Sequence, residues 1–209
     1  RKAGIIAVDL DEGDFLIGAS LTDGQHDVML FSDGGKAVRF DENDVRPMGR
    51  NARGVRGMML EDGQSVIAML VAEDEQQSVL TATENGYGKR TSIVEYTRHG
   101  RGTKGMIAIQ QSERNGKVVA ATLVHADDEI MLITTGGVLV RTRVAEIREM
   151  GRATQGVTLI SVDDGSMLSG VRRVVESDAD DDGEEITDKA DSSAPDESTG
   201  PTDGADSAN

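Results

Sequence analysis

The sequence predicts an all-β protein of four-stranded blades, each roughly 50 residues long and arranged radially, followed by a disordered acidic tail. The first observation behind this is an internal repeat. The stretches Met48-Gly49-Arg50-Asn51-Ala52-Arg53-Gly54, His99-Gly100-Arg101-Gly102-Thr103-Lys104-Gly105 and Met150-Gly151-Arg152-Ala153-Thr154-Gln155-Gly156 stand 51 residues apart. The same interval links Gly35, Gly86 and Gly137, and then Arg39, Arg90 and Arg141. The second is composition: 25 Gly, no Trp, and short β-rich apolar runs at regular spacing, which suit strands and turns better than a helical solenoid. The third is the distribution of charge. Residues 176–209 carry 13 acidic residues against Lys189, whereas residues 1–175 carry 21 basic and 25 acidic ones, so the net charge of -16 mostly describes the tail.

Residues 1–13 are expected to be the end of a truncated upstream blade, because Gly4-Ile5-Ile6-Ala7-Val8 resembles Gly105-Met106-Ile107-Ala108-Ile109. The blade over 14–63 is read as strands at 15–21, 27–32, 36–40 and 55–60, with a tight turn at Asp33-Gly34-Gly35. Lys36-Ala37-Val38-Arg39-Phe40 alternates basic and apolar residues, the pattern of a sheet with one face in water. The blade over 64–116 has strands at 66–71, 79–83, 87–91 and 106–110; the blade over 117–165 has them at 118–124, 130–134, 138–142 and 157–162. Ser92-Ile93-Val94-Glu95 and Val144-Ala145-Glu146-Ile147 suit single helical turns. A closing strand lies within 166–175. From Glu176 to Asn209 only Ile186 is large and apolar, too little burial to offset the entropy of ordering, so disorder is expected there.

Catalytic and metal motifs are not predicted. Gly100, Gly102 and Gly105 satisfy G-x-G-x-x-G, but a strand follows where the dinucleotide fingerprint needs a helix. Asp178 to Gly183 opens like a calcium loop, yet Lys189 stands where a bidentate Glu is required. His26, His99 and His125 lack ligand spacing, and the absence of Cys excludes disulfides and thiolate metal sites. No apolar run is long enough for a signal peptide or membrane anchor, which leaves the chain in the cytoplasm. What recurs is a basic segment: Lys36, Arg39, Arg46, Arg50, Arg53 and Arg56, then Lys89, Arg90, Arg98, Arg101 and Lys104, then Arg141, Arg143, Arg148 and Arg152. Superimposable repeats place these residues on one edge as a basic band, and a band of this kind suits duplex DNA. Three Phe and two Tyr are too few for base stacking on single strands.

Asn85-Gly86-Tyr87-Gly88-Lys89-Arg90-Thr91, Val140-Arg141-Thr142-Arg143-Val144 and Thr154-Gln155-Gly156-Val157, followed by an acidic tail, closely resemble the C-terminal domains of bacterial DNA gyrase A subunits. The resemblance spans residues 1 to about 175 and implies a β-pinwheel, a disc of bent blades whose basic rim wraps duplex DNA. It further implies delivery of the wrapped segment to a cleavage gate and ATP-driven negative supercoiling. The partners it implies are the remainder of gyrase A, together with gyrase B, in a heterotetramer. No cofactor is expected in this stretch; ATP and Mg2+ are used elsewhere in such enzymes. The family's Q-R-R-G-G-K-G box is matched only at Arg101, Gly102, Lys104 and Gly105, a degenerate equivalent in a later blade. The alternatives are a topoisomerase IV C-terminal domain and a propeller that binds proteins, although the WD signatures of the latter are missing.

Overall fold

A computed structural model describes residues 4–175. Three antiparallel hairpins carry the repeat: β1 (Asp27–Ser32) with β2 (Lys36–Asp41), β4 (Ser78–Thr83) with β5 (Tyr87–Ser92), and β8 (Glu129–Thr134) with β9 (Leu139–Arg143). Their registers are equivalent, with Asp27 opposite Asp41, Ser78 opposite Ser92 and Glu129 opposite Arg143. A single 3-10 turn follows each hairpin, at Glu42–Asp44, Ile93–Glu95 and Val144–Glu146, and the last two were expected from the sequence.

The hairpins do not complete their sheets from their own units. The strands β3 (Val66–Ala72), β7 (Val118–Val124) and β11 (Leu168–Val174) each pair with the first strand of the hairpin before them. On the other side β6 (Met106–Ile107) pairs with β2, and β10 (Val157–Thr158) pairs with β5. The orders are therefore β3-β1-β2-β6, β10-β5-β4-β7 and, among the described residues, β11-β8-β9. The blade limits expected at 14–63, 64–116 and 117–165 consequently do not coincide with sheets. The expected tail, 176–209, lies outside the described residues.

The same pairing rule explains three corrections. Residues 15–21 form no strand, and Phe15 and Leu21 are 84% and 96% exposed, because no hairpin precedes them among the described residues. Residues 55–60 are reduced to a bridge between Met58 and Thr103, and the strands expected at 106–110 and 157–162 pair over two residues each. Residues 4–9 run beside the next connection, with Asp9 N–H donating to Ala52 O at 3.3 Å.

The strands β3, β7 and β11, with Ile17 and Ile133, line one cavity of about 460 Å3, and these three are the innermost strands. By strand order β6, β10 and β9 are at the outer edges, and β2, β5 and β9 are the outer strands of their hairpins, from which the outer connections lead. Packing is between sheets. Met29, Phe31, Val79, Ile93 and Tyr96 fill the space between the first and second sheets, while Leu80, Val124, Ile130, Leu132 and Val144 fill that between the second and third. Phe31 and Tyr96 meet edge to face at 6.0 Å. Every residue of β4 is buried because both faces of its sheet are covered. The solvent-facing side expected for 36–40 is likewise absent: Ala37, Val38, Arg39 and Phe40 are all buried.

Gly35 and Gly86 turn their hairpins at φ of 75° and 80°, and each lies under the backbone of the next unit. A Cβ on Gly86 would stand 2.2 Å from Ile160 O, whereas one on Gly137, at φ 81°, would meet nothing within 4 Å. Gly137→Val should therefore lose about 1–3 kcal/mol through the torsion alone, and Gly86→Val should lose more. Equal losses in denaturant unfolding would mean that the close approach between units carries no cost.

Candidate nucleic-acid interface

The structure divides the expected basic band into three groups. Arg39 is buried rather than exposed on the rim. Its Nε donates to Asp27 Oδ2 at 2.6 Å, its Nη1 to Ile93 O at 3.1 Å and Tyr96 O at 3.3 Å, and its Nη2 pairs with Glu75. Burial opposes the charge, yet Glu75 and Asp27 hold the guanidinium above its usual range. Arg98 joins the group, with Nη2 at 2.8 Å from Asp27 Oδ1 and Nη1 at 3.3 Å from Asp41. Lys89 is fully buried and its Nζ donates to Gly151 O and Arg152 O, both at 2.5 Å. Burial pushes this ammonium down to about 8 and Arg152 adds to the shift, against the pull of Glu95. Arg39 and Lys89 are thus removed from the set that could meet a phosphate. Each occupies a strand covered on both faces, where a cation persists only if paired or bonded to carbonyls.

Other members of the band are engaged with their neighbours. Arg90 Nε donates to Ile147 O at 2.7 Å, and its Nη1 lies 3.7 Å from Glu149. Arg50 reaches Ile6 O at 3.3 Å, Arg101 reaches Arg56 O at 3.1 Å and Asp44 O at 3.0 Å, and the half-buried Arg152 reaches Ile107 O at 2.8 Å. Arg53 is paired with Asp9 at 3.2 Å and Asp11 at 2.7 Å but stays exposed. Arg141 pairs with Glu129 across the β8-β9 register.

The remaining cations of the band are Arg46, Arg56, Lys104, Arg143 and Arg148, all exposed, and the half-buried Lys36. Their side chains have no ion pair among the described residues. All six stand on the outermost hairpin strands or on the connections leading from them. Cations held there on a packed framework without ion-pair partners present groups suited to phosphates.

Two groupings escaped sequence reading. Arg114 stacks on Tyr87, its guanidinium carbon 4.5 Å from the ring centre, and bonds from Arg114 and Thr158 lower the phenol from its usual range. Asp23, His26 and Glu42 gather within 4.8 Å, although Glu42 stands 16 residues from His26. Glu42 Oε1 accepts from Gly24 N–H at 2.9 Å and His26 N–H at 2.7 Å, so its evident work is to close the 22–26 loop. The signal for it was present in the repeat: the equivalent positions are Ile93 and Val144, both fully buried and apolar.

Stacked antiparallel sheets that share an axis and exchange strands between units define a propeller-like repeat protein of the β-pinwheel type. More particularly, the family described as "DNA gyrase C-terminal domain, beta-propeller" matches residues 1–23, 26–73, 77–125 and 128–174, and the chain belongs to that family. The last three matched units each run from a hairpin to its inner strand. The DNA gyrase A subunit of Pseudomonas aeruginosa is 51% identical over 203 residues, covering 95% of this chain and 22% of that protein. Its Escherichia coli counterpart is 51% identical over 176 residues, covering 84% of this chain and 20% of that protein. The chain therefore spans about a fifth of these relatives. A solved gyrase A C-terminal domain superimposes with a TM-score of 0.76 at 30% identity, covering 83% of this chain and 59% of the other. A topoisomerase IV C-terminal domain reaches 0.77 at 24% identity, covering 80% and 52%, a likeness of fold alone.

Two consequences are measurable. Asp27→Ala should destabilise the chain by about 3–5 kcal/mol, since it leaves a buried guanidinium short of its partner; a loss below 1 kcal/mol in urea unfolding would contradict this. For Lys89, the folded value of about 8 lies below the ordinary 10.5, so between those pH values the unfolded chain binds more protons. Stability should thus gain a rising contribution from pH 8 to 10.5, and Lys89→Met should remove it. Parallel stability curves for the two proteins over that window would refute the burial cost.

Proposed function

We propose that the chain binds duplex DNA along its outer rim and bends it around successive blades, as the wrapping module of a gyrase A protein. The observation that carries this reading is the set of exposed cations without ion-pair partners, Arg46, Arg56, Lys104, Arg143 and Arg148, on strands and connections remote from the axis. A wrapped duplex meets several units in arbitrary sequence, so these groups are assigned to phosphates and not to base edges. In the whole enzyme the wrapped segment would be presented to the cleavage gate, with ATP and Mg2+ used by other parts of the assembly and gyrase B as partner. Identities near 51% to gyrase A proteins favour this over topoisomerase IV, whose domain shares the fold.

Removing any one phosphate contact should weaken binding on all sequences alike and lower the log-log salt slope by roughly 0.9. An Arg46/Lys104/Arg148 triple alanine variant should therefore lose roughly 2.7 from the slope. An unchanged slope in a plasmid-binding titration would remove the rim from the interface.

A further inference from the structure

Several arginines that recur in the sequence recur also in what they hold. Arg39 of β2 donates to Tyr96 O at 3.3 Å, and Arg90 of β5 donates to Ile147 O at 2.7 Å. Donors and acceptors are each one repeat interval apart, so this is one contact made twice, from the outer hairpin strand of a unit to the end of the 3-10 turn in the next. A second contact runs the other way. Arg101 Nη1 donates to Arg56 O at 3.1 Å and Arg152 Nη1 to Ile107 O at 2.8 Å, donors and acceptors again one interval apart, while Arg50 Nη1 reaches Ile6 O at 3.3 Å, one residue past the equivalent acceptor Ile5. These join the connection of one unit to the short outer segment of the unit before.

Backbone bonds between the same segments repeat in step. His99 N–H donates to Arg39 O at 2.8 Å and Met150 N–H to Arg90 O at 2.9 Å, while Met59 N–H donates to Thr103 O at 2.8 Å and Gln110 N–H to Thr154 O at 2.9 Å. The boundary between units is thus bonded in both directions on its outer side. On the inner side one backbone bond spans each boundary, from Val118 N–H to Asp33 O at 3.0 Å and from Leu168 N–H to Glu84 O at 2.8 Å, and the rest of the contact is apolar packing, which is non-directional and tolerates small rotations. Directional bonds at the larger radius have the longer lever arm on the angle between neighbouring sheets.

We infer that Arg90, Arg101 and Arg152 are positioning residues that set the angle between successive blades, and hence the curvature of a duplex lying on the rim. This rests on the DNA-wrapping reading for its consequence, but not for the geometry. Arginine suits the task because its planar fork directs several donors from one rigid group, and the acceptors are carbonyls, which a phosphate-binding role would not require. Lysine keeps the charge and loses the fork.

The test compares the full chain with Arg101→Lys and Arg152→Lys, and with Lys104→Ala as a control for a phosphate contact. Small-angle X-ray scattering of the free proteins reads blade geometry without DNA. A linear duplex of about one helical turn, ~10 bp, reads local phosphate contact, and the linking-number change per protein bound to a relaxed circle reads wrapping. The lysine variants should show an altered scattering profile, short-duplex affinity within twofold of the parent, and at least a twofold smaller linking-number change. Lys104→Ala should weaken short-duplex binding and leave the scattering unchanged. Parental scattering from both lysine variants overturns the inference, whatever their melting temperatures. If the parent chain itself leaves the linking number unchanged, the wrapping reading fails, and the scattering result still decides whether the arginines set the angle.

Discussion

A hairpin of this repeat cannot complete its own sheet, and that constraint organises the molecule. Each hairpin needs the strand that closes its unit on the inner side, and on the outer side a short strand from the unit that follows. Backbone groups on a sheet edge must be paired or hydrated, so β2 and β5 satisfy theirs with β6 and β10. The units are therefore interdependent in hydrogen bonding as well as in packing. Nearest-neighbour dependence of this kind makes stability a sum over units and over the boundaries between them.

The hairpins were legible because they depend on local chemistry: apolar runs of strand length around a glycine turn. The phase of the blades was not. A period fixes the distance between equivalent residues and carries no origin, so the apolar run at 15–21 looks like those of β3 and β7. Which hairpin such a run joins is a non-local matter. The outer segments were overextended for a related reason, since their apolar character reflects burial between units: Ala108 and Ile109 are buried just past the end of β6.

For the site, alternation of basic and apolar residues over 36–40 suggested one wet face. Both faces are covered, however, and Arg39 is tolerated only because Asp27, Glu75 and two carbonyls meet its donors. Lys89 stands at the register position of Val38, which is itself buried, so its neighbour in the repeat already marked the place as interior. Polar residues at interior positions of one unit, Lys89 and Glu42 alike, are visible when units are aligned against one another, because their equivalents are apolar.

On the proposed DNA-binding reading, recurrence has two different physical origins here. A residue whose contact with the adjoining unit is made at every boundary recurs with that contact, whereas Lys89 reaches the next unit at one boundary alone among the described residues. Arg39 and Arg90, and Arg50, Arg101 and Arg152, are of the first kind. A residue that meets a polyanion need not recur, because phosphates follow one another about every 1.7 Å of duplex axis and one missing cation leaves the track continuous. The exposed cations recur incompletely: Arg46 and Arg148 share a register position that holds Thr97 between them, and Lys104 has Arg53 before it and Gln155 after it. In a repeat protein that binds an extended charged ligand, strict periodicity thus marks the joints, and the ligand-facing positions are the charged ones whose repetition is partial.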